Sequence, residues 1–404
     1  MSGGVDPRSR AVATGILLVA RVVYAYNWYD IGGVLPLLGT RFGIGTVELG
    51  IVLSAFLLGA AVFQLPAGYV AMRWGSRTTS IVALGVMGAF ALASAASPNW
   101  IVLALLRFGA GGGAAFFFAP ALGLVSAYYP SGRRGFVVGT FIAGFSVGSG
   151  VGLFASAYLG PTLGWSLPIG LGGALLLGVA FVAVLVLPRT PNETRTPARG
   201  LWGASRPVLR SPGLWGVAVG GGGLWGGYYI AAQYFVNFAH AVHPSWSLAL
   251  AAAAPTVMIA VEVPGGPLGG RFGERSRDMR RALVAWGIVA GILLAAVPFL
   301  SLGAEFAAFA VLGFSDGVTF TLLYLIPMYL PEVTGNRVAL GLALVNFVQI
   351  LIGSAIALGF AFVAATTGYV GAWIFAGAAT VAFLPALVLA NPPERRASSG
   401  VPAG

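Results

Sequence analysis

The sequence predicts an all-α integral membrane protein of twelve transmembrane helices, arranged as two pseudo-symmetric bundles of six. Three observations predict it. Of the 404 residues, 58% are hydrophobic and only 8% charged, with a mean hydropathy of +0.90, whereas about a quarter of the residues in a soluble domain carry charge. Apolar stretches of roughly 20 residues, the length that crosses a bilayer core, recur down the chain between short polar turns. Finally, one segment occurs twice. Gln64 to Arg77 and Glu262 to Arg275 keep a proline, a glycine, an arginine, a second glycine and a final arginine in register. A segment repeated where an apolar run gives way to a basic turn in each half is typical of secondary transporters.

The apolar runs, bounded by Gly, Pro or charge, predict helices in the first half over Val12 to Leu37, Leu49 to Ala71, Thr79 to Ser97, Ile101 to Tyr128, Gly135 to Tyr158 and Ser166 to Leu187. The second half repeats the count, over Gly213 to Phe238, Ser247 to Gly270, Ala282 to Ser301, Ala304 to Tyr329, Val338 to Ala365 and Val370 to Leu389. Glycine and proline inside these runs are tolerated because membrane helices use them for close packing and bending. The stretch 188–212 is rich in Pro, Thr and Arg, the composition of a surface linker. It divides the chain into a first bundle, 1–187, and a second bundle with a short tail, 213–404. The apolar run after Arg10 contains Arg21, continues past Pro36 and has no clear small-residue cleavage site, so it is expected to be the first span and not a cleaved signal.

All 22 basic residues are arginine and the formal net charge is +11. With no lysine, Schiff-base chemistry is excluded; with no cysteine, so are disulfides and thiolate metal sites. The loop arginines at the N-terminus, Arg73 and Arg77, Arg133 and Arg134, the linker, Arg271 to Arg281, Arg337 and the tail belong to one side of the predicted spans, and the opposite side has little more than Arg41. By the positive-inside rule both termini and the linker are cytoplasmic, and the expected location is the cell membrane. That distribution explains the charge better than nucleic-acid binding does. No Walker A pattern supports ATP-driven pumping. His240 and His243 stand before Pro244 with no carboxylate nearby in sequence, so no metal site is expected, and no cofactor.

Several segments resemble one family. Gly68 to Arg77 resembles the loop signature that follows helix two in the major facilitator superfamily, and Gly266 to Arg275 its second copy after helix eight. Arg107 to Ala115 is similar to the family's Arg-x-x-x-Gly-x-Gly motif in helix four, and Tyr128 to Gly135 to its turn into helix five, with a looser echo at Tyr329 to Arg337. The resemblance covers the whole chain. It implies a twelve-helix secondary transporter working by alternating access around a midplane cavity, driven by protons or by the solute's own gradient. It also implies a cytoplasmic gate motif of Gly68, Arg73, Gly75, Arg77, Glu262, Gly266, Arg271, Gly273 and Arg275. Two departures stand out. Met72 and Gly270 occupy positions where the family usually has aspartate, and Gly144 to Gly152 lacks the proline of the drug-exporter motif in helix five.

Ionisable side chains at membrane depth are functional candidates by default because each costs a few kcal/mol or more. Asp30 in helix one and Arg107 in helix four fall at similar depth, and with Asp316 in helix ten they are the proton-coupling candidates. The alternative for the first two is a static ion pair between helices. Arg21 lies nine residues from Asp30, on the opposite face of a straight helix, with Tyr24 and Trp28, while Tyr26 and Asn27 share the Asp30 face. Arg21 is expected either to bind an anionic group or to snorkel or pair between helices. Substrate-binding candidates are Arg21, Tyr26, Asn27, the helix-seven residues Trp225, Tyr229 and Gln233, and Asn346 and Gln349 in helix eleven. Plain interhelical packing is the alternative for the last five. The intramembrane charges and the missing exporter motif favour proton-coupled uptake of a small polar or anionic metabolite by a monomer. Efflux of amphiphilic compounds, or a transport-inactive sensor on the same scaffold, are the other functions the chain fits.

Overall fold

In the computed structural model the described residues are 7–390, apart from 130, 189–205, 276–277, 329, 332 and 334–336. Most of the predicted linker and the whole tail thus lie outside the described residues. Among the described residues there is no strand. Ten stretches are long and apolar enough to cross a bilayer. The last, Gly341–Leu389, has 49 residues, about 74 Å as a continuous helix and more than twice the ~30 Å apolar core. Gly368 interrupts it with φ 83° and ψ 175°, a left-handed region open to glycine, so this stretch crosses twice. Pro212–Val242, 31 residues long, falls outside the ten because glycine, tyrosine and amide groups dilute its apolarity, yet it is buried along nearly its whole length. Ten stretches, one crossing twice, and this helix give the predicted twelve.

The helices of the first half are α1 (Pro7–Tyr29), α2 (Leu35–Phe42), α3 (Thr46–Trp74), α4 (Ser76–Ser94), α5 (Trp100–Ala115), α6 (Phe118–Tyr128), α7 (Ser131–Leu163) and α8 (Ser166–Val186). The second half has α9 (Pro212–Val242), α10 (Leu248–Arg275), α11 (Met279–Ala296), α12 (Leu302–Met328) and α13 (Arg337–Ala382), closed by a 3-10 turn at Leu384–Leu389. Two predicted spans are broken where the sequence reads as continuous. Span one stops at Tyr29 and resumes at Leu35 through a 3-10 turn, Gly32–Val34. Span four is divided at Phe116 and Phe117 into α5 and α6. The first break tucks the chain against α7: a Cβ on Gly33 would collide with Ser156 and with the backbone of Leu153 and Ala157.

The packing partners repeat in the two halves. In the first, α3 packs on α5, α1 on α7 and α4 on α8; in the second, α10 packs on α12, and α9 and α11 both pack on α13. Small residues make these approaches possible, as expected where lipid supplies no hydrophobic drive between helices. A Cβ on Gly59 or Gly111 would strike the opposing backbone of α5 or α3, and one on Gly148 would strike the Val22 carbonyl of α1. The halves meet through α3 against α13 and α7 against α10. Large side chains such as Leu105, Phe181 and Leu185 are exposed on the outside, where lipid is their solvent.

Candidate functional site

Arg21 occupies the fourth turn of α1, about 21 Å along the helix from Pro7. It is 6% exposed. Its guanidinium carbon lies 4.4 Å from the Phe118 ring centre, 4.6 Å from Phe145, 5.0 Å from Tyr24 and 5.5 Å from Phe141. These are cation–π distances. Gly144 leaves room for the stem of Arg21, since a Cβ there would come within 3.3 Å of the arginine Cγ. No ion pair among the described residues includes Arg21, and its Nε has no hydrogen-bond partner. The cation is thus buried and caged by rings. It neither snorkels to the membrane surface nor pairs with a carboxylate from another helix.

Two and a half turns further on and just past the end of α1, Asp30 lies on the opposite face. Arg107 of α5 reaches it with Nη1 to Oδ1 at 3.1 Å, and both side chains are fully buried. The Arg107 Nη2 also donates to the Asn27 carbonyl (3.0 Å), and its guanidinium stacks 4.6 Å from the Phe56 ring. Asp30 Oδ2 and Arg107 Nε keep no partner. The predicted depth match is therefore a direct contact. Tyr26 and Asn27 point elsewhere: the Tyr26 hydroxyl donates to the Pro168 carbonyl of α8, and Asn27 Nδ2 donates back to Val23 within α1. Both pack inside the first half.

Between these features an aromatic layer spans the two halves. Trp28 meets Phe56 edge-on at 4.9 Å and Trp225 of α9 at 6.5 Å, and Trp225 stacks on Tyr229 at 5.6 Å. Toward the end opposite Pro7 the halves are tied more tightly. Gln233 Nε2 donates to the Trp28 carbonyl (2.7 Å), the Tyr229 hydroxyl donates to Leu53 (3.3 Å), and Gly32 lies so close to Gln233 that it has no space for a Cβ. Of the α13 candidates, Asn346 accepts from the Tyr324 hydroxyl (3.1 Å), while Gln349 is fully buried with both amide atoms unpartnered, against Gly221.

In the second half the Tyr228 hydroxyl of α9 donates to Glu262 Oε2 of α10 at 3.1 Å. Asp316 of α12 lines a small cavity together with Tyr228, Gly227 and Thr380. Its Oδ2 has no partner, and no ion pair among the described residues includes either acid.

The sequence profile of the Major Facilitator Superfamily matches residues 17–357. This chain belongs to that superfamily. It is similar to the 4-hydroxybenzoate transporter PcaK of Pseudomonas aeruginosa, with 36% identity over 169 residues, 42% of this chain and 38% of the relative. It is also similar to the gallate transporter of Pseudomonas putida, with 29% identity over 178 residues, 43% of this chain and 40% of the relative. The aligned stretches thus span about two fifths of those curated relatives. Among solved structures a D-xylose–proton symporter has a TM-score of 0.76 at 16% identity, covering 94% of this chain and 97% of the symporter. Fold, membership and multi-pass membrane character follow from these matches and from the twelve crossings.

As a superfamily member the chain uses its loop motif as a helix-end clamp. Gly75, at φ 86°, separates α3 from α4, and Arg77 then donates to Leu187 (2.7 Å) and Val184 (2.8 Å), carbonyls at the end of α8. Arg73 is exposed. In the second copy Gly266 accepts from the Thr321 hydroxyl (3.1 Å). Gly68, Met72, Gly270, Arg271, Gly273 and Arg275 lie outside the residues whose side-chain surroundings are described. Glu262 stands apart from the turn, because its carboxylate is engaged by α9. Sequence reasoning missed the cage residues Phe118, Phe141 and Phe145. The four-residue spacing Phe141–Phe145, each followed three residues later by a glycine, was the available signal: it sets a ring face against space for another helix.

Proposed function

We propose that this chain is a proton-coupled importer of small organic anions, with aromatic carboxylates as its class and Arg21 as the carboxylate contact. One observation carries it: a guanidinium buried midway through the first helix, caged by four aromatic rings and free of any ion pair among the described residues. A planar guanidinium matches a carboxylate with paired donors, and the surrounding rings offer stacking surface for an aromatic body. The names of two relatives, a 4-hydroxybenzoate transporter and a gallate transporter, support the same class. Asp30, tuned by Arg107, and Asp316 carry the coupling protons; Trp225 and Tyr229 bound the solute on the side of the second half, and Gln233 closes the path beyond it. One chain forms the whole path, with both termini and the linker on the cytoplasmic side of the cell membrane as the arginine count requires.

The test is uptake into proteoliposomes under an imposed pH gradient, with 4-hydroxybenzoate and gallate against their neutral amides and xylose. Accumulation of the acids alone, collapsed by an uncoupler, is the expected result. Equal handling of acids and amides, or none of either, refutes the proposal. A second reading, efflux of amphiphilic compounds, is favoured by an apolar groove of about 560 Å³ between α3, α5 and α13, lined by Ile51, Leu58, Ile101, Phe108, Leu351 and Leu358 among others. Gradient-driven export of an amphiphilic dye from inverted vesicles would favour it.

A further inference from the structure

The repeat gives Glu262 the register of Gln64, four residues before the first shared glycine, so a carboxyl stands in one half where an amide stands in the other. If both served only to hold helices together, an amide would do so without the cost of a charge at membrane depth. Glu262 has a different set of neighbours. Its Oε2 accepts a hydrogen bond from the Tyr228 hydroxyl, at 3.1 Å. Tyr228 in turn meets the Tyr29 ring of the first half edge-on, with centroids 6.4 Å apart, and shares a cavity wall with Asp316. The backbone of Glu262 abuts Gly317, the residue after Asp316. The Tyr29 hydroxyl and Asp316 Oδ2, both deeply buried, lack partners.

The chain order gives this cluster its meaning. Tyr29 and Asp30 are consecutive: one meets Tyr228, the other meets Arg107. At the end of α1 the first half therefore touches two carboxyl stations, its own and that of the second half. Adjacent residues at a helix break, where backbone dihedrals can change, are well placed to move together.

We propose that Glu262 is a further proton-carrying carboxyl beside Asp30 and Asp316, positioned by Tyr228 and linked through Tyr29 to the Asp30–Arg107 pair. The step balances without any redox partner. The Glu262 carboxylate takes a proton from hydronium on one aqueous side and returns it to water on the other. Tyr228 keeps its own proton, donating to the carboxylate and accepting from the carboxylic acid. The groups facing Glu262 are Tyr228 from α9, Tyr29 from α1 and Asp316 from α12. This inference rests on the proton-coupled reading above.

The experiment compares gradient-driven accumulation and solute counterflow of 4-hydroxybenzoate in proteoliposomes carrying the full chain, wild type or Glu262→Gln, Glu262→Asp or Tyr228→Phe. Glu262→Gln is expected to lose accumulation and keep counterflow. Glu262→Asp should keep both, and Tyr228→Phe should keep counterflow with a displaced pH profile. Unchanged accumulation in Glu262→Gln overturns the proposal, and so does loss of both activities in a variant that melts like wild type, since that marks a structural role. A second readout needs no solute. Infrared difference spectra across pH should contain a carboxyl band that Glu262→Gln lacks; identical spectra overturn the assignment. Wild-type protein that moves none of the acids would instead refute the transport reading, and the infrared band would still decide the role of Glu262.

Discussion

In the first half a buried carboxylate, Asp30, is answered by an arginine at 3.1 Å; in the second, Glu262 is answered only by a tyrosine hydroxyl at the same distance, and Asp316 by no cation among the described residues. The backbone scaffolds of the halves repeat, helix pair for helix pair. The charges do not. Packing alone therefore requires none of these acids, because the same helix contacts form in each half around different polar groups. Asp30 has a fixed counter-charge within reach, whereas Glu262 and Asp316 have none among the described residues.

Breaking the first-half pair should produce the largest effect in the molecule. Arg107→Gln leaves Asp30 buried without its cation, and removing one partner of a buried pair typically costs about 3–5 kcal/mol. The expected outcome is a marked fall in melting temperature of the detergent-solubilised protein. Asp30→Asn added to Arg107→Gln should restore most of it, as neither charge then stands alone. A double variant as unstable as the single one would mean that Arg107 acts through its packing on Phe56 and not through Asp30. The comparison sharpens with Glu262→Gln, which removes no cation's partner and should leave the stability within about 1 kcal/mol of wild type.

Arg21 tests the cage. Arg21→Gln removes the charge caged by the four rings and should weaken binding of aromatic carboxylates by at least about tenfold, roughly 1.4 kcal/mol or more, with little change for their neutral amides. Competition of unlabelled acids and amides for counterflow measures both. Stability should fall by about 2 kcal/mol, the scale of a desolvated cation–π contact. Equal weakening for acid and amide would place the effect in packing.

The fold was legible because membrane helices advertise themselves by length and apolarity, and because the duplicated turn at Gln64–Arg77 and Glu262–Arg275 marks the two halves. The breaks at Tyr29 and at Phe116 were legible only in part: Pro36 and Pro120 stand four residues after Gly32 and Phe116, where a proline removes the helical bond and crowds that carbonyl, but the packing of Gly33 against α7 is a tertiary contact. At the site, single residues were legible and their company was not. Arg21, Asp30 and Arg107 stand out as charges in apolar runs, and the matched depth of the last two anticipates their contact. That Tyr26 and Asn27 turn toward α8, that phenylalanines from α6 and α7 cage Arg21, and that Tyr228 reaches Glu262 depend on tertiary packing across 100 or more degrees of helix rotation, which periodicity in one strand of sequence does not encode.

The two copies of the turn can be compared in the same way. Arg77→Ala removes donors from two carbonyls at the end of α8, groups that a helix terminus leaves unsatisfied. The expected loss is about 1 kcal/mol, discounted for the exposure of one of the two bonds. Arg275→Ala, in the second copy, should cost as much if that turn clamps a helix end as the first one does, and a neutral result would show that the repeat keeps the sequence but only one copy of the clamp.

The smallest effect is expected at Asp278, which caps α11. Its Oδ1 accepts from the Arg280 backbone at 3.0 Å and from the Arg280 side chain at 3.2 Å. Partial burial pulls its carboxyl up, but the bonds from Arg280 and the neighbouring backbone outweigh that and hold it below the ordinary carboxylate range. A folded-state value below the unfolded one means that the contribution to stability is present at neutral pH and is lost as pH falls through the folded value, in the acid range below about 4. Asp278→Ala removes cap and charge together and should cost about 1 kcal/mol at neutral pH. Asp278→Asn keeps an acceptor oxygen for the backbone, so it should cost less and should lose the acid-range dependence. Melting curves of the three proteins at neutral and acidic pH decide it: if Asn and Ala variants behave alike, the charge on Asp278 and not its capping geometry holds the start of α11, and this turn would belong with Asp30 among the sites where the chain relies on an ion pair.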